Sequence, residues 1–158
     1  MKGKIFFIAL IASVTLSVTA YGAEVNEYKA IFETATEEDY RALEKVVYNE
    51  SACCNCSHEV NVAVVETVLN RVLSDEWPDT IYGVCTQKGQ FVCKDFTTDS
   101  TQWELISDAI QTVANEGRTV LPGTDYIYFA TKRQSCAKDH IKIGGEKRHT
   151  YMWFGRKK

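Results

Sequence analysis

The sequence predicts an α+β fold with its helices in the N-terminal two thirds and a small antiparallel sheet toward the C-terminus. Three segments before residue 120 repeat apolar residues at helical spacing, and β-branched and aromatic runs separated by glycines follow Pro122. The chain has 158 residues, of which 45% are hydrophobic and 25% charged, as is typical of a single globular domain. It contains no internal repeat or low-complexity tract.

The first residues have the features of a secretory signal peptide. Lys2 and Lys4 precede an uncharged stretch over residues 5–19, and small residues follow at Ala20 and Ala23. We expect cleavage after residue 20, with residue 23 as the second candidate; a retained membrane anchor is the alternative. The mature protein is then secreted and acts outside the cytoplasm without a stable membrane anchor, because no later apolar run reaches transmembrane length.

The first predicted helix begins at Thr36, after an N-terminal arm (residues 21–36) that has no clear period and leads into a domain over residues 37–158. Thr36 and Asp39 form a capping pair, and the acidic residues between them complement the helix dipole. Four apolar residues share one face of this helix: Tyr40, Leu43, Val46 and Val47. At about 100° per residue, Glu50 falls inside that apolar stripe.

The second predicted helix spans residues 57–73, where valines and leucines cover more than half of the circumference, as in a helix buried on most sides. Glu66 and Asn70 stand four apart, so we expect them to bond to each other. Asn70 and Arg71 are expected to bind the C-terminal end of this helix.

A loop through Gly83 and Gly89 leads to the third predicted helix, which begins near Ser100 with Thr101 and Glu104 as a capping box. Three runs then predict the strands of the sheet: residues 126–130, 141–143 and 150–154. The three tryptophans are expected in the core: Trp77, Trp103 and Trp153.

The charge of the chain disfavours a nucleic-acid partner. There are 18 basic and 21 acidic residues, whereas phosphate contacts require an excess of Lys and Arg. Residues 24–119 carry 7 basic and 18 acidic residues, a net charge of −11, and residues 120–158 carry 9 and 3, a net charge of +6. This asymmetry indicates a basic surface that faces an anionic partner; the alternative is a C-terminal hairpin packed beside an acidic body.

All six cysteines lie in the exported part: Cys53, Cys54, Cys56, Cys85, Cys93 and Cys136. An even count in an oxidising compartment predicts disulfides, and six cysteines allow about 15 pairings. We expect a bond between Cys85 and Cys93, which bracket a short loop, and a bond from Cys136 to one of the first three. A zinc site is the alternative, but Cys-Cys-Asn-Cys lacks the paired spacings of zinc ribbons, so no metal or other cofactor is expected.

Glu50 is the candidate catalytic residue. An ionised carboxylate is costly on an apolar face, so a glutamate placed there can keep its proton near neutrality. A general acid needs that property to protonate the oxygen of a glycosidic bond. The alternative is an ordinary helix-end glutamate that is paired or reaches solvent.

Ordered blocks of the sequence resemble the spore cortex-lytic cell wall hydrolases, the SleB-type family. The blocks are residues 46–50, 62–72, 77–84, 89–91 and 124–129, followed by 143–145 with His149 and Tyr151. The resemblance spans about residues 40–154, and ordered agreement over this length is far more specific than any one block.

The resemblance implies a lysozyme-like catalytic domain that cleaves the glycan strands of peptidoglycan in the cell wall or spore cortex. It places the catalytic glutamate of the family on Glu50. It also implies a set of substrate-binding residues: Gln90, Phe91, Tyr126, Tyr128, His149 and Tyr151.

The sequence departs from the family pattern in two places. After Glu50, residues 51–56 stand where the family commonly has small residues, an arginine and a second acidic residue, so local substrate charges are lost. The closing block is stretched by residues 146–148 before His149, which leaves its register open.

We therefore expect a lytic transglycosylase in which Glu50 acts first as acid and then as base, while the substrate's own 6-hydroxyl closes a 1,6-anhydro ring. A hydrolytic muramidase is the alternative and needs a second carboxylate. The candidates are Asp95, Asp99 and Asp125, whose positions relative to Glu50 the sequence does not predict. A non-catalytic, disulfide-stapled wall-binding module is a further alternative, although a binder gains nothing from burying an acid. The sequence does not predict the oligomeric state.

Overall fold

The computed structural model describes residues 27–117, 119–147 and 150–158. The predicted signal peptide, Arg118, Arg148 and the candidate residue His149 lie outside these ranges. Within them, none of the helices combines the length and the apolar character that crossing a bilayer requires.

The described chain forms five α-helices and then a three-stranded antiparallel sheet, which confirms the predicted α+β class. The helices are α1 (27–34), α2 (Glu37–Glu50), α3 (His58–Val72), α4 (Ile81–Thr86) and α5 (Ser100–Ala114), with a 3-10 turn at Ala52–Cys54. The strands are β1 (Tyr126–Ala130), β2 (Ala137–Gly144) and β3 (Tyr151–Lys157).

Helix α1 corrects the prediction of an arm without regular structure. Tyr28 and Phe32 are buried, and the Phe32 ring stacks on Tyr40 with centroids 5.8 Å apart. Because Tyr28 and Phe32 stand four apart, they share one face of a helix. The Tyr28 hydroxyl also donates a hydrogen bond to Asn70 in α3, so α1 is part of the domain core.

Helix α2 begins as predicted, with a complete capping box between Thr36 and Asp39. The Asp39 carboxylate also accepts a hydrogen bond from the Tyr82 N–H at 2.8 Å, which attaches the first turn of α4 to α2. The sequence predicted a loop where α4 lies. This helix has only six residues and is capped by Thr80, so it is too short to show an apolar period.

Helix α3 is the central helix, and its residues from Val60 to Arg71 are all buried. Helix α5 packs on it. The cap of α5 is Asp99, whose carboxylate accepts from the Gln102 N–H at 2.9 Å, rather than the predicted Thr101. Trp103 is 44% exposed, contrary to the core position expected for it.

The strand order in the sheet is β1-β3-β2, and β3 is antiparallel to both of its neighbours. The core-facing side of the sheet packs on α3. The chain must cross β3 between β1 and β2, and residues 131–136 make this crossing. Gly155 allows β2 to approach β3 closely, since a Cβ there would lie 2.7 Å from the Ala137 Cβ and 3.1 Å from the His140 ring.

We predict that Asp39→Ala lowers the free energy of unfolding by about 1–3 kcal/mol, because Asp39 bonds to both Thr36 and Tyr82. Glu38→Ala removes an exposed acid from the same turn and is the matched control, with an expected change below about 0.5 kcal/mol. Urea unfolding of the two variants measures the difference.

The same pair gives a pH test. Burial raises the pKa of Asp39, but hydrogen bonds from Thr36 and Tyr82 lower it by more, so the net pKa lies below its ordinary value. The stabilisation from Asp39 is therefore present above the ordinary carboxyl pKa and is lost as pH falls through the lowered value. A difference between the variants that persists unchanged into strong acid would contradict this assignment.

Candidate active site

Glu50 is the last residue of α2 and is half-buried. The buried Ser51 ends the helix, with its N–H and its hydroxyl both donating to the Val47 carbonyl oxygen at 3.1 Å. The Oε1 atom of Glu50 accepts a hydrogen bond from the Val92 N–H at 2.7 Å. Among the described residues, no hydrogen bond or ion pair reaches the second oxygen, Oε2. One carboxylate oxygen is thus held, and the other can meet a ligand.

Residues 91–97, the strap, lie alongside the second half of α2. Three side chains of α2 bond or stack with the strap: Asn49 Nδ2 with the Lys94 carbonyl oxygen (3.0 Å), Lys45 with the Asp95 carboxylate (2.6 Å) and Tyr48 with the Phe96 ring (4.2 Å between centroids). These contacts fix the position of the strap on the helix that carries Glu50. The Val92 N–H is therefore aimed at Glu50 by neighbours of Glu50 itself.

Arg71, on α3, is only 4% exposed although it is charged. Its guanidinium carbon lies 4.2 Å from the centroid of the Trp77 ring and 4.4 Å from that of Phe91. Its Nε donates to the Ile127 carbonyl oxygen at 2.9 Å. Burial lowers the pKa of Arg71 to about 10, while the charges of nearby groups, Glu50 among them, oppose the shift. Arg71 is still protonated at neutral pH and is a buried cation near Glu50.

Gln90 and Phe91 contact Arg71, and Tyr128 follows Ile127, whose carbonyl oxygen accepts from Arg71. Gln90 is exposed, and its Oε1 accepts from Arg71 Nη1 at 3.4 Å. The Phe91 ring stacks on Phe129 with centroids 5.8 Å apart. Tyr128 is half-buried and interacts electrostatically with Arg71. Phe91 thus contacts Arg71 while the next residue, Val92, donates to Glu50, and we call Glu50, Arg71, Gln90, Phe91 and Tyr128 the Glu50 site.

Tyr126 and Tyr151 lie apart from the Glu50 site. Tyr126 is 6% exposed, its side chain belongs to the core, and its carbonyl oxygen accepts from Asn70 at 2.9 Å. This burial corrects the expectation that Tyr126 contacts substrate, because little of its ring is accessible. Tyr151 begins β3, and the Lys142 ammonium lies 4.0 Å from its ring centroid.

Each of the three acids that the sequence left as a second carboxylate has another partner. Asp95 pairs with Lys45, which lowers the pKa of Asp95. Asp99 caps α5. Asp125 pairs with Arg156. These contacts give all three acids structural roles.

Asn70 and Glu66 bind partners other than each other, which corrects the predicted pair. The Glu66 carboxylate is fully buried and accepts from the N–H groups of Val120 and Leu121 at 2.9 and 2.8 Å. Asn70 and Arg71 both reach β1 rather than the C-terminal end of α3. Glu66 is therefore a structural acid.

Arg71 is the site residue that sequence reasoning missed. One feature of the sequence could have indicated it: Arg71 lies on a helix that is apolar around most of its circumference. A cation buried on such a helix needs buried partners. Those partners come from three separate segments, at Trp77, at Gln90 and Phe91, and at Ile127. No local spacing connects them.

None of the six cysteines, all of which lie in the described ranges, forms a disulfide in the structure. Burial raises the pKa of Cys85, and the nearby Cys93 adds to the rise. The Cys93 thiol instead donates a weak hydrogen bond to the Ala42 carbonyl oxygen at 3.8 Å, because the strap turns it toward α2. The predicted Cys85–Cys93 disulfide is thus not present in the structure.

The remaining cysteines show no bond to Cys136 either. The sulfur atoms of Cys53 and Cys54 lie 3.5 Å apart, just after Glu50, and Cys136 is exposed on the crossing segment. Burial, more than any other cause, raises the pKa of Cys53 and of Cys56 to about 11, so both are thiols at neutral pH. Within the described ranges, no three His, Cys, Asp or Glu side chains come together to hold a metal ion.

A surface groove of about 510 Å³ lies away from these residues, on the exposed side of α5. Its lining includes Trp103, Glu104 and Asp108. Asp108 pairs with the His58 ring, with its Oδ2 atom 3.1 Å from Nδ1, and Glu104 is exposed on the helix surface. The groove is therefore separate from the candidate site at Glu50.

Solved structures with a similar fold include two catalytic domains. One is the catalytic domain of the germination-specific lytic transglycosylase SleB from Bacillus anthracis, at 23% identity and a TM-score of 0.55, covering 78% of this chain and 98% of that chain. The other is the catalytic domain of the Bacillus cereus SleB protein, at 23% identity and a TM-score of 0.51, covering 75% and 91%. Both show that the fold is that of a SleB catalytic domain.

The Cell Wall Hydrolase family matches residues 56–152, more than half of the chain. The protein belongs to this family, which confirms the resemblance seen in the sequence. Glu50 precedes the matched range. Comparison with curated proteins finds none that matches.

We predict that Arg71→Lys lowers the free energy of unfolding by about 2–4 kcal/mol, because lysine keeps the charge but loses the Nε hydrogen bond and the planar stacking. Arg41→Lys is the matched control, since Arg41 is exposed and pairs with Glu37, and it should change stability by less than about 0.5 kcal/mol. Chemical denaturation compares the two. Equally small effects would show that the buried guanidinium does not hold α3 to β1.

Proposed function

We propose that this protein cleaves the glycan strands of peptidoglycan as a lytic transglycosylase, with Glu50 as its single catalytic carboxylate. The observation that carries the proposal is the arrangement of Glu50, with one oxygen held by the Val92 N–H and the other open, beside the buried cation of Arg71. Membership in the cell wall hydrolase family supports this substrate class. The lytic transglycosylase SleB, whose catalytic domain shares the fold, supports the reaction type.

The hydrogen bond to Glu50 decides which oxygen carries the proton. Because Oε1 accepts from the Val92 N–H, the proton of the neutral acid resides on Oε2. Oε2 donates it to the glycosidic oxygen as the bond from that oxygen to the anomeric carbon of the muramic residue breaks. The leaving sugar departs as an alcohol, and Glu50 becomes a carboxylate.

Arg71 stabilises that carboxylate. Its charge already interacts with Glu50, and an interaction in a partly buried site is screened less than one in water. The 6-hydroxyl of the same muramic residue then attacks the anomeric carbon and returns its proton to Glu50. The product carries a 1,6-anhydro ring, and the acid is regenerated without water or a cofactor.

Substrate contacts are proposed for Gln90, Phe91 and Tyr128. The Gln90 side chain is exposed and can bond sugar hydroxyls or acetamido groups. Phe91 and Tyr128 are half-buried, so each ring has a supported side and an exposed part for a sugar face. Contacts from Tyr151 and His149 stay predictions.

We propose transglycosylation rather than hydrolysis because each candidate for a second catalytic carboxylate already has another partner. A muramidase needs a second carboxylate as nucleophile or as base for a water. Asp95, Asp99 and Asp125 are engaged by Lys45, by the cap of α5 and by Arg156. Attack by the 6-hydroxyl needs no such residue. We also propose that the protein acts outside the cytoplasm, where its substrate is located and where the predicted signal peptide would direct it.

We predict that Glu50→Gln lowers the rate of glycan cleavage by about 10²–10⁴-fold, because an amide cannot donate and recover the proton. Its free energy of unfolding should stay within about 0.5 kcal/mol of the parent protein. Release of soluble muropeptides from purified peptidoglycan measures the activity.

Glu44→Gln is the matched control for this prediction. Glu44 lies on the same helix and is also half-buried, but it is remote from the Val92 N–H, so activity should be retained. Retained activity in a folded Glu50→Gln protein would overturn the catalytic assignment. Loss in both variants would point to the helix rather than to the carboxylate.

We predict that the released products end in 1,6-anhydro rings. Such products are one water lighter than hydrolysed ones, and mass spectrometry of muropeptides made in ¹⁸O-labelled water separates the two. Transglycosylation predicts no label in the new ends. Labelled, reducing ends would instead establish a muramidase and return attention to Asp95, Asp99 and Asp125.

A further inference from the structure

The outer face of the sheet, meaning the side of β3 that is turned away from α3, carries cations held against aromatic rings. Tyr151 and Trp153 alternate along β3 with buried residues that face the core, so both rings point outward. The Arg133 guanidinium carbon lies 4.4 Å from the Trp153 centroid, and Lys142 Nζ lies 4.0 Å from the Tyr151 centroid. Each ring keeps its cation in place.

Cations are concentrated on this part of the chain and lack acidic partners. Residues 131–147 contain five: Lys132, Arg133, Lys138, Lys142 and Lys147. Within the part of the chain that the structure describes, none of the five forms an ion pair. Asp139, one of the two acids in the segment, is engaged by Arg156.

Three cations of the helical part pair with nearby carboxylates: Lys29 with Glu33, Arg41 with Glu37 and Lys45 with Asp95. Lys88 and Lys94, which are exposed, form no ion pair within the described residues. The whole chain has a net charge of −3, whereas residues 131–147, with five basic and two acidic residues, have a net charge of +3. Like charges that repel one another without partners create a local positive field, which attracts a polyanion.

We propose that the outer face of the sheet binds the carboxylates of peptidoglycan stem peptides, at a position separate from the Glu50 site. This inference rests on the proposed function, which supplies the polymer. Arginine recognises carboxylates through its planar pair of donors, and a cation already held on a ring loses little freedom on binding. Weak contacts repeated along one polymer add to a useful affinity.

Strand β1 connects the two surfaces. Tyr128 of the Glu50 site lies in β1 and pairs with Gly155 of β3. The strand ends at Ala130, and the chain continues directly into the crossing segment that carries Arg133. The proposal is that one polymer contacts both surfaces, its glycan at the Glu50 site and its peptide carboxylates at the cations of the outer face.

The test uses the Glu50→Gln protein, which does not consume the polymer, and insoluble peptidoglycan freed of attached phosphate polymers. Arg133→Gln/Lys142→Gln is compared with Lys29→Gln/Arg41→Gln, which removes the same charge from the helical part. We expect the first pair to raise the dissociation constant in cosedimentation about fivefold, and the control pair to leave it unchanged. Added salt should abolish the difference. Thermal unfolding verifies that both proteins are folded.

A second arm identifies the anionic group. In this arm the carboxyls of peptidoglycan are converted to amides. The amidated polymer should bind the protein with an unaltered outer face as weakly as native peptidoglycan binds the Arg133→Gln/Lys142→Gln protein. Equal binding of the two charge variants, undiminished binding to the amidated polymer, or binding to a soluble phosphodiester polymer in place of peptidoglycan would each overturn the inference. Failure of the proposed function would give a different result. The wild-type protein would then release no muropeptides from peptidoglycan, whether or not the outer face binds the polymer.

Discussion

The buried guanidinium of Arg71 joins the helical part of the domain to the sheet. It lies between the rings of Trp77 and Phe91 and donates to the Ile127 carbonyl oxygen of β1. A cation removed from water is costly unless its donors and its charge are compensated. The three segments that compensate it must therefore keep their places, and they are the segments that surround the Glu50 site.

The position of Glu50 follows from the same constraint. Phe91 stacks on the guanidinium, and the next residue, Val92, donates its N–H to the carboxylate. The rest of the strap is bound to α2 through the Asp95 and Phe96 contacts. Cation and acid are thus connected through one peptide unit, so a change in the packing around Arg71 would be transmitted to Glu50.

The sequence predicts the parts of this arrangement that depend on neighbours along the chain. The Thr36 cap, the apolar stripe that selects Glu50 and the three strands all have a local period or a local partner. The helix at residues 27–34 carries only a short apolar pattern and escaped prediction. The role of Arg71 was not predicted for a different reason. Its partner Ile127 is 56 residues further along the chain, and no local sequence pattern indicates that contact.

A crystal structure of the Glu50→Gln protein with a bound glycan oligomer tests the central claim most directly. We predict that the side chain of residue 50 lies within hydrogen-bonding distance, about 3 Å, of one glycosidic oxygen, with the adjacent sugar against Phe91 and Tyr128. A glycan bound instead in the groove beside Trp103, with residue 50 free of contact, would contradict it.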